Sequence, residues 1–210
     1  MTVNAMLRNF RTLVLAAALA GAAGCASTPR REPTLPPERQ TAAAMEKLRE
    51  AERAERKGDE TLALQLYREA IELDRRLPVA WNDFGTLLLS RGNYLDAVQA
   101  LRVAADLDPT DPRPLYNIGT AYARAGWAEE ALEAYESALR RDPNHLPSLR
   151  GAVQSASLLS HADIRTLERT RRALLIERDD QWRTFFERER FRIEGQLRER
   201  RKAENSPVGA

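Results

Sequence analysis

The sequence predicts an all-α fold in which helical hairpins stack side by side. Self-similarity with a period of 34 residues runs through positions 44–145, glycines mark the turns at that same interval, and the alternation typical of β-strands is missing from this stretch. A unit of this size cannot bury its apolar face alone. Neighbouring units are therefore expected to pack into one continuous core.

The three repeats, 44–77, 78–111 and 112–145, carry small residues at matching places. Glycine at the fifteenth place suits the left-handed conformation that ends a first helix. Alanine at the twentieth and twenty-seventh places, like glycine at the eighth place of the last two repeats, lets two helix backbones approach closely. In that order the residues are Gly58, Gly92 and Gly126; Ala63, Ala97 and Ala131; Ala70, Ala104 and Ala138; and Gly85 and Gly119. Each repeat is therefore predicted to be a helical hairpin.

This pattern resembles the tetratricopeptide repeat. The second repeat has Trp81, Phe84 and Pro109 where that family has its aromatic, apolar and proline residues, and the third repeat has Pro143 at the place of Pro109. The first repeat is degenerate, with Lys47, Glu50 and Arg75 at those places. The resemblance implies a right-handed superhelical stack whose first helices line a concave groove for an extended peptide or a partner's helix.

The segment after the third repeat is predicted to cap the stack. Residues 146–203 are interpreted as a degenerate fourth unit followed by one long charged capping helix from Asp163 to about Lys202, and residues 204–210 as a disordered tail. Arg165 stands where a second helix should have its small alanine. Trp182, Phe185 and Phe186 interrupt the charged pattern and predict either core packing or a second interface, through which the chain could form a homodimer.

The resemblance also implies which residues face the groove. Asparagine can hydrogen-bond a peptide backbone in both directions, arginine can hold a carboxylate, and tyrosine offers an apolar wall. The candidate partner groove consists of Asn82, Thr86, Leu89, Arg113, Tyr116, Thr120, Arg124, Arg150 and Gln154, to which we add Asn117, one place beyond Tyr116. The alternative is that these are merely soluble outward positions. The lysines and asparagines with which the family grips cytosolic chaperone C-termini are not reproduced, which disfavours chaperone docking.

The N-terminal residues 1–24 are predicted to be an export signal. Arg8 and Arg11 precede an uncharged apolar run that is too short to span a bilayer, which needs about 20 residues. The run ends at Cys25, the only cysteine of the chain, and a lone cysteine cannot form an internal disulfide. The stretch Ala22-Ala23-Gly24-Cys25 resembles the lipobox of bacterial lipoproteins, although Ala22 replaces the usual leucine.

The lipobox resemblance implies that Cys25 is acylated and becomes the mature N-terminus. Ala26, in place of aspartate, resembles lipoproteins forwarded to the periplasmic face of the outer membrane. Residues 25–43 would then be the lipidated N-terminus and a proline-rich tether. Ordinary periplasmic export and an uncleaved cytoplasmic chain are the alternatives.

The charge balance and the motifs argue against several classes of function. Without Arg8 and Arg11 the 33 basic residues fall to 31, equal to the 31 acidic ones, so neither nucleic acid nor an anionic surface is favoured. No serine or cysteine motif of a nucleophile surrounds His145 or His161, and the glycines recur at the turns instead of forming a phosphate-binding loop. We therefore expect no metal, cofactor or catalytic residue. The sequence predicts an envelope lipoprotein that acts as an interaction scaffold, like a pilotin of pilus or secretion machinery or an adaptor of cell-wall hydrolases or proteases. The alternative is an enzyme or enzyme subunit that acts on cell-wall material.

Overall fold

The computed structural model describes residues 36–205, which fold into nine α-helices without a β-strand in that range. The helices are α1 (Pro37–Arg56), α2 (Glu60–Leu73), α3 (Pro78–Ser90), α4 (Tyr94–Leu107), α5 (Arg113–Arg124), α6 (Ala128–Arg141), α7 (Leu146–Leu158), α8 (Ile164–Ile176) and α9 (Asp180–Asn205). The all-α prediction is confirmed. None of the helices between residues 36 and 205 combines the length and the hydropathy of a membrane-spanning segment.

Consecutive helices pair into the predicted hairpins. The pairs α1–α2, α3–α4 and α5–α6 are each joined by a three-residue turn whose glycine has a φ of +80° to +84°. A side chain is strained at such a φ, which explains the recurrence of Gly58, Gly92 and Gly126. The alanines at the twentieth and twenty-seventh places are all completely buried, as close helix contact requires.

Two aromatic-to-glycine contacts show how tightly the hairpins pack. The ring of Tyr135 on α6 lies where a Cβ on Gly119 of α5 would come within 2.6 Å, and where a Cβ on Gly151 of α7 would come within 2.5 Å. Gly119 therefore meets α6 as predicted, but against the tyrosine ring. One side chain thus fixes the spacing of three helices.

The start of α1 differs from the predicted boundary. The tether was expected to extend to residue 43, but α1 begins at Pro37, a residue type that suits the first helical turn. Thr41 Oγ1 donates a hydrogen bond to Asp74 Oδ2 at 2.7 Å, which ties this early turn to the end of α2. Residues 1–35, including Cys25, and residues 206–210 lie outside the described part of the chain, so the signal, lipidation and tail predictions remain predictions.

The prediction of one long helix after Asp163 is wrong, because the chain turns between Ile176 and Asp180. The carboxylate of Glu177 accepts hydrogen bonds from the backbone N–H groups of Arg178 and Asp179. Asp179 Oδ1 in turn accepts from two N–H groups in the first turn of α9, at 2.9 and 3.0 Å. Side-chain acceptors of this kind start helices. Two acidic residues therefore break the apparent helix into α8 and α9.

Helix α9 folds back over α7 and α8. Phe186 and Ile193 are 0% exposed, and Phe186 lies in a core cluster with Leu149 and Val153 of α7. The interface reading is therefore wrong for Phe186, which belongs to the core. Trp182 and Phe185 are partly buried against the same cluster, with ring centroids 5.7 Å apart.

Candidate binding groove

The first helices of the hairpins, α1, α3, α5 and α7, line a groove with a cavity towards each end. The ninth residue of the second repeat, Thr86, lines one cavity, and the ninth residue of the third, Thr120, lines the other. The cavities have volumes of about 500 and 470 Å³. Matching repeat places therefore open onto both, as expected for one groove that runs across the stack.

The cavity at the C-terminal end, which we call the aromatic cavity, brings together five of the predicted groove residues and one from α9. Tyr116 and Trp182 form its aromatic walls. Arg124 and Gln154 are exposed there, and neither makes a hydrogen bond or ion pair within residues 36–205. The set is Tyr116, Thr120, Arg124, Arg150, Gln154 and Trp182. A free guanidinium and a free amide beside aromatic rings can hold an acidic group next to an apolar side chain.

Trp182 was predicted as part of a separate interface, but it lines this cavity. Its placement depends on a lock between α7 and the α8–α9 turn. Arg150 donates two hydrogen bonds to the carboxylate of the buried Glu177, both 2.7 Å long, and its guanidinium lies 5.0 Å from the centre of the Trp182 ring. Arg150 is therefore a structural part of the wall, and not the free carboxylate ligand that its place in the repeat suggests.

The lock perturbs the acidity of Glu177. The hydrogen bonds from Arg150 lower the pKa of this carboxyl from its ordinary 4.5 to about 2, with support from the N–H groups of Arg178 and Asp179. A carboxyl whose pKa is lower in the folded state stabilises the fold above its unfolded pKa. That contribution is lost as the pH falls from about 4.5 towards 2.

We expect Glu177→Gln to lower the unfolding free energy at pH 7 by about 2 kcal/mol, because a charge-assisted hydrogen-bond pair is lost. The deficit relative to the parent should shrink between pH 4.5 and pH 2, where Glu177 itself becomes protonated. Urea unfolding at several pH values measures this. Glu133→Gln, on an exposed carboxylate without an ion pair in the described range, is the matched control. A deficit that is independent of pH would contradict the lock.

A polar ladder joins α3 to α5 beside the cavity that Thr86 lines. Asn117 donates from Nδ2 to Asn82 Oδ1 at 3.2 Å and to Thr86 Oγ1 at 3.1 Å. Asn82 is mostly buried and donates to Asp83 Oδ1 at 3.0 Å. These amides are thus engaged within the protein and fix how neighbouring hairpins align, while Thr86 remains partly exposed.

Two of the predicted groove residues have other surroundings, and Thr120, which lines the aromatic cavity, has its hydroxyl engaged. Leu89 is buried in the core with α4 and α5, so its prediction as a groove residue is wrong. Arg113 is exposed but pairs with Asp111 at 2.8 Å. Thr120 uses its hydroxyl to donate to the backbone oxygen of Tyr116.

The cavity at the N-terminal end, which we call the acidic cavity, was missed by the sequence analysis. Its lining includes Glu52, Glu55 and Asp83, together with Arg56, which lies 3.9 Å from Glu52. Burial raises the pKa of Asp83, and the charges of Glu52 and Glu55 raise it further. Glu52 and Glu55 occupy the ninth and twelfth places of the first repeat, so the repeat register would have identified them had the degenerate unit been included.

The hydroxyl of Tyr67 belongs to the acidic cavity. It donates to Glu55 Oε2 at 2.8 Å, and its pKa is raised by burial and by this carboxylate. Tyr67 therefore stays protonated and fixes the Glu55 side chain. The cavity consequently presents negative charge in a fixed position.

His145 makes an unexpected contact with a serine. Its Nδ1 lies 2.7 Å from Ser148 Oγ, at the start of α7, and burial lowers its pKa. Ser148 is 0% exposed, so its hydroxyl cannot meet a substrate, and the pair anchors the helix start. Across the described residues, no group of three or more His, Cys, Asp or Glu side chains is arranged to hold a metal ion.

The fold and the groove define a repeat protein built from stacked helical hairpins. A sequence model of the tetratricopeptide repeat family matches residues 48–112 and 82–145. Residues 48–145 are therefore tetratricopeptide repeats, as the sequence analysis predicted.

Similar curated proteins match only part of this chain. The chain is 35% identical over 85 residues to the general transcriptional corepressor ssn6 of Schizosaccharomyces pombe. The matched stretch covers 40% of this chain and 8% of that protein. It is 30% identical over 112 residues to tetratricopeptide repeat protein 28 of Mus musculus, covering 53% of this chain and 5% of that protein. The chain thus spans less than a tenth of the length of these relatives.

Solved structures show the same fold. MamA superimposes with a TM-score of 0.56 at 15% identity, over 72% of this chain and 96% of that one. The first tetratricopeptide repeat domain of Spaghetti (RPAP3), bound to the HSP90 peptide SRMEEVD, superimposes with a TM-score of 0.54 at 17% identity, over 58% of this chain and 98% of that one. The O-GlcNAc transferase of Thermobaculum terrenum, as a K341M mutant, gives 0.55 at 25% identity over 64% of this chain and 27% of that one.

Proposed function

We propose that the protein is a binding scaffold whose groove holds an extended segment of a partner protein. The observation that carries the proposal is the aromatic cavity, where Arg124 and Gln154 are unengaged beside Tyr116 and Trp182. Unpaired polar groups next to aromatic walls supply both specificity and contact area for a ligand. The repeats themselves support a role in protein–protein interaction.

The charges of the groove suggest the chemistry of that segment. The acidic cavity carries Glu52, Glu55 and Asp83, whereas the aromatic cavity carries the free guanidinium of Arg124. We therefore propose an extended segment with basic residues at one end and an acidic residue beside an aromatic or aliphatic one at the other.

Photo-crosslinking tests the groove. A photoreactive amino acid at Gln154 should crosslink a partner in intact cells, whereas the same amino acid at Gln99, an exposed glutamine on α4, should not. A synthetic peptide that covers the crosslinked segment is then titrated against the purified chain. The peptide's sequence directly tests the predicted distribution of charge.

We expect Arg124→Gln combined with Gln154→Ala to weaken binding of that peptide at least about tenfold, which corresponds to about 1.4 kcal/mol. Both side chains are exposed, so the melting temperature should not change. Arg188→Gln with Gln99→Ala makes the same chemical changes at exposed positions elsewhere and is the matched control. Equal affinity of the groove variant and the parent would place the binding surface outside the groove.

We further propose that the scaffold works in the bacterial envelope, held by a lipid at Cys25 on the periplasmic face of the outer membrane. The small residues before the only cysteine and Ala26 after it support this proposal. A tethered scaffold there would act in the manner of a pilotin of pilus or secretion machinery or an adaptor of cell-wall hydrolases or proteases. Its partners would then be envelope proteins.

Cys25→Ser is expected to abolish palmitate incorporation and to release the protein from the membrane fraction, because the acylated thiol is lost. Metabolic labelling followed by membrane fractionation measures both effects. Ser27→Ala, two residues further on, serves as a control that should leave labelling intact. Labelling that persists in Cys25→Ser would refute lipidation at this residue.

We propose that the groove binds without chemistry of its own. The buried position of Ser148 supports this, because the one serine that hydrogen-bonds a histidine in the described part of the chain is out of reach of a substrate. Incubation of the purified protein with murein should leave the polymer intact. Turnover that disappears in the Arg124→Gln, Gln154→Ala variant would instead favour the cell-wall enzyme.

A further inference from the structure

A second cleft lies between α6 and α8, outside the binding groove, and four arginines line it. Its volume is about 310 Å³. Leu139, Pro143 and Leu149 contribute apolar atoms to its wall. The charged residues are Arg140, Arg165, Arg169 and Arg172, with Glu136 and Glu168 as the only acids in the lining.

Three of these arginines occupy places that are buried in the other repeats. In the third repeat the twentieth, twenty-fourth and twenty-seventh places hold Ala131, Tyr135 and Ala138, all of them buried. Counting 34-residue units from Leu146, the same places hold Arg165, Arg169 and Arg172. A core position could not take such residues without a partner for each charge.

A longer turn explains how the arginines reach the surface. Five residues separate α7 from α8, against three in each of the other hairpins. Ser160 has the left-handed conformation, with a φ of 56°, at the place where the other three hairpins have glycine. The two additional residues of this turn come after Ser160. Helix α8 therefore turns Thr166, Thr170 and Ala173 inwards, and the arginine stripe lines the cleft beside α6.

The arginines in the cleft are only partly engaged. Arg169 pairs with Glu136, and Arg140 donates to Ser137 Oγ at 2.7 Å. Arg165 and Arg172 are exposed and make no hydrogen bond or ion pair within residues 36–205. Four positive and two negative side chains leave a net charge of +2 around the cleft.

We infer that this cleft binds a phosphomonoester. Guanidinium groups match the oxygens of such a group in pairs, and a doubly charged phosphate balances the net charge of the lining. Arg165 and Arg172 would hold the phosphate oxygens, while the Arg169–Glu136 pair fixes the cleft wall. The phosphate could belong to a soluble ester or to a lipid headgroup.

Two probes test the site with the full chain at low ionic strength. Inorganic phosphate is titrated in solution, and binding to phosphatidylcholine vesicles is compared with and without phosphatidic acid. We expect saturable binding of at least one probe, weakened at least tenfold by Arg165→Gln with Arg172→Gln. Arg188→Gln with Arg201→Gln removes the same charge from exposed positions on α9 and should bind like the parent.

The results separate the sources and can overturn the inference. Phosphate binding without an effect of phosphatidic acid indicates a soluble ester, and binding that depends on phosphatidic acid indicates a lipid headgroup. No saturable binding of either probe would refute the site. Equal weakening by both double variants would also refute it, because general surface charge would then explain the binding.

Discussion

Phe186→Ala is expected to lower the unfolding free energy by about 3–5 kcal/mol, the usual cost of removing a buried phenylalanine ring. The ring is completely buried and packs with Leu149 and Val153 of α7 and Ala173 of α8. Its loss would leave a cavity where α9 covers the end of the stack. Because terminal repeats depend on such a cover, α7 and α8 should lose stability together with α9.

Phe191→Ala is the matched control, since the same substitution on the same helix removes a ring that is 61% exposed. We expect that variant to unfold within about 0.5 kcal/mol of the parent, as surface substitutions usually do. Urea unfolding followed by far-ultraviolet circular dichroism measures both. If Phe186→Ala were as stable as Phe191→Ala, α9 would not be part of the core.

Gly151→Ala is expected to destabilise the protein by about 1–3 kcal/mol, the usual cost of overpacking. The added Cβ would lie 2.5 Å from Cζ of Tyr135, whose ring is confined from the other side by Gly119. The tyrosine cannot move away without separating α5 from α6. The strain should therefore appear as lower stability of the whole stack.

Glycine-to-alanine substitution at Gly195 should instead stabilise the protein. A Cβ there meets nothing within 4 Å, and alanine in a helix is favoured over glycine by about 0.5–1 kcal/mol. Thermal unfolding of both variants and the parent measures this, with a lower melting temperature expected for Gly151→Ala and a higher one for Gly195→Ala. A neutral Gly151→Ala would show that the Tyr135 ring is less confined than its contacts indicate.

The sequence predicted the repeats well because their signals are local. A glycine is needed wherever φ is positive, and an alanine wherever two helix backbones touch, so hairpin and period could be read from Gly58 to Ala138. The groove was predicted in part. Tyr116, Thr120, Arg124, Arg150 and Gln154 do share a cavity, whereas Leu89 points into the core and the acidic residues of the degenerate first repeat were overlooked.

The sequence by itself determined the all-α class, the hairpin unit and its period, because those depend on residues close together in the chain. Tertiary structure alone decided the end of the stack. The charged pattern after Asp163 is compatible with a helix throughout. The sequence does not show that Glu177 meets Arg150 of α7, whose two hydrogen bonds help to hold the turn that folds α9 back. Trp182 thereby joins the groove and Phe186 the core, since a residue's burial depends on which distant helix covers it.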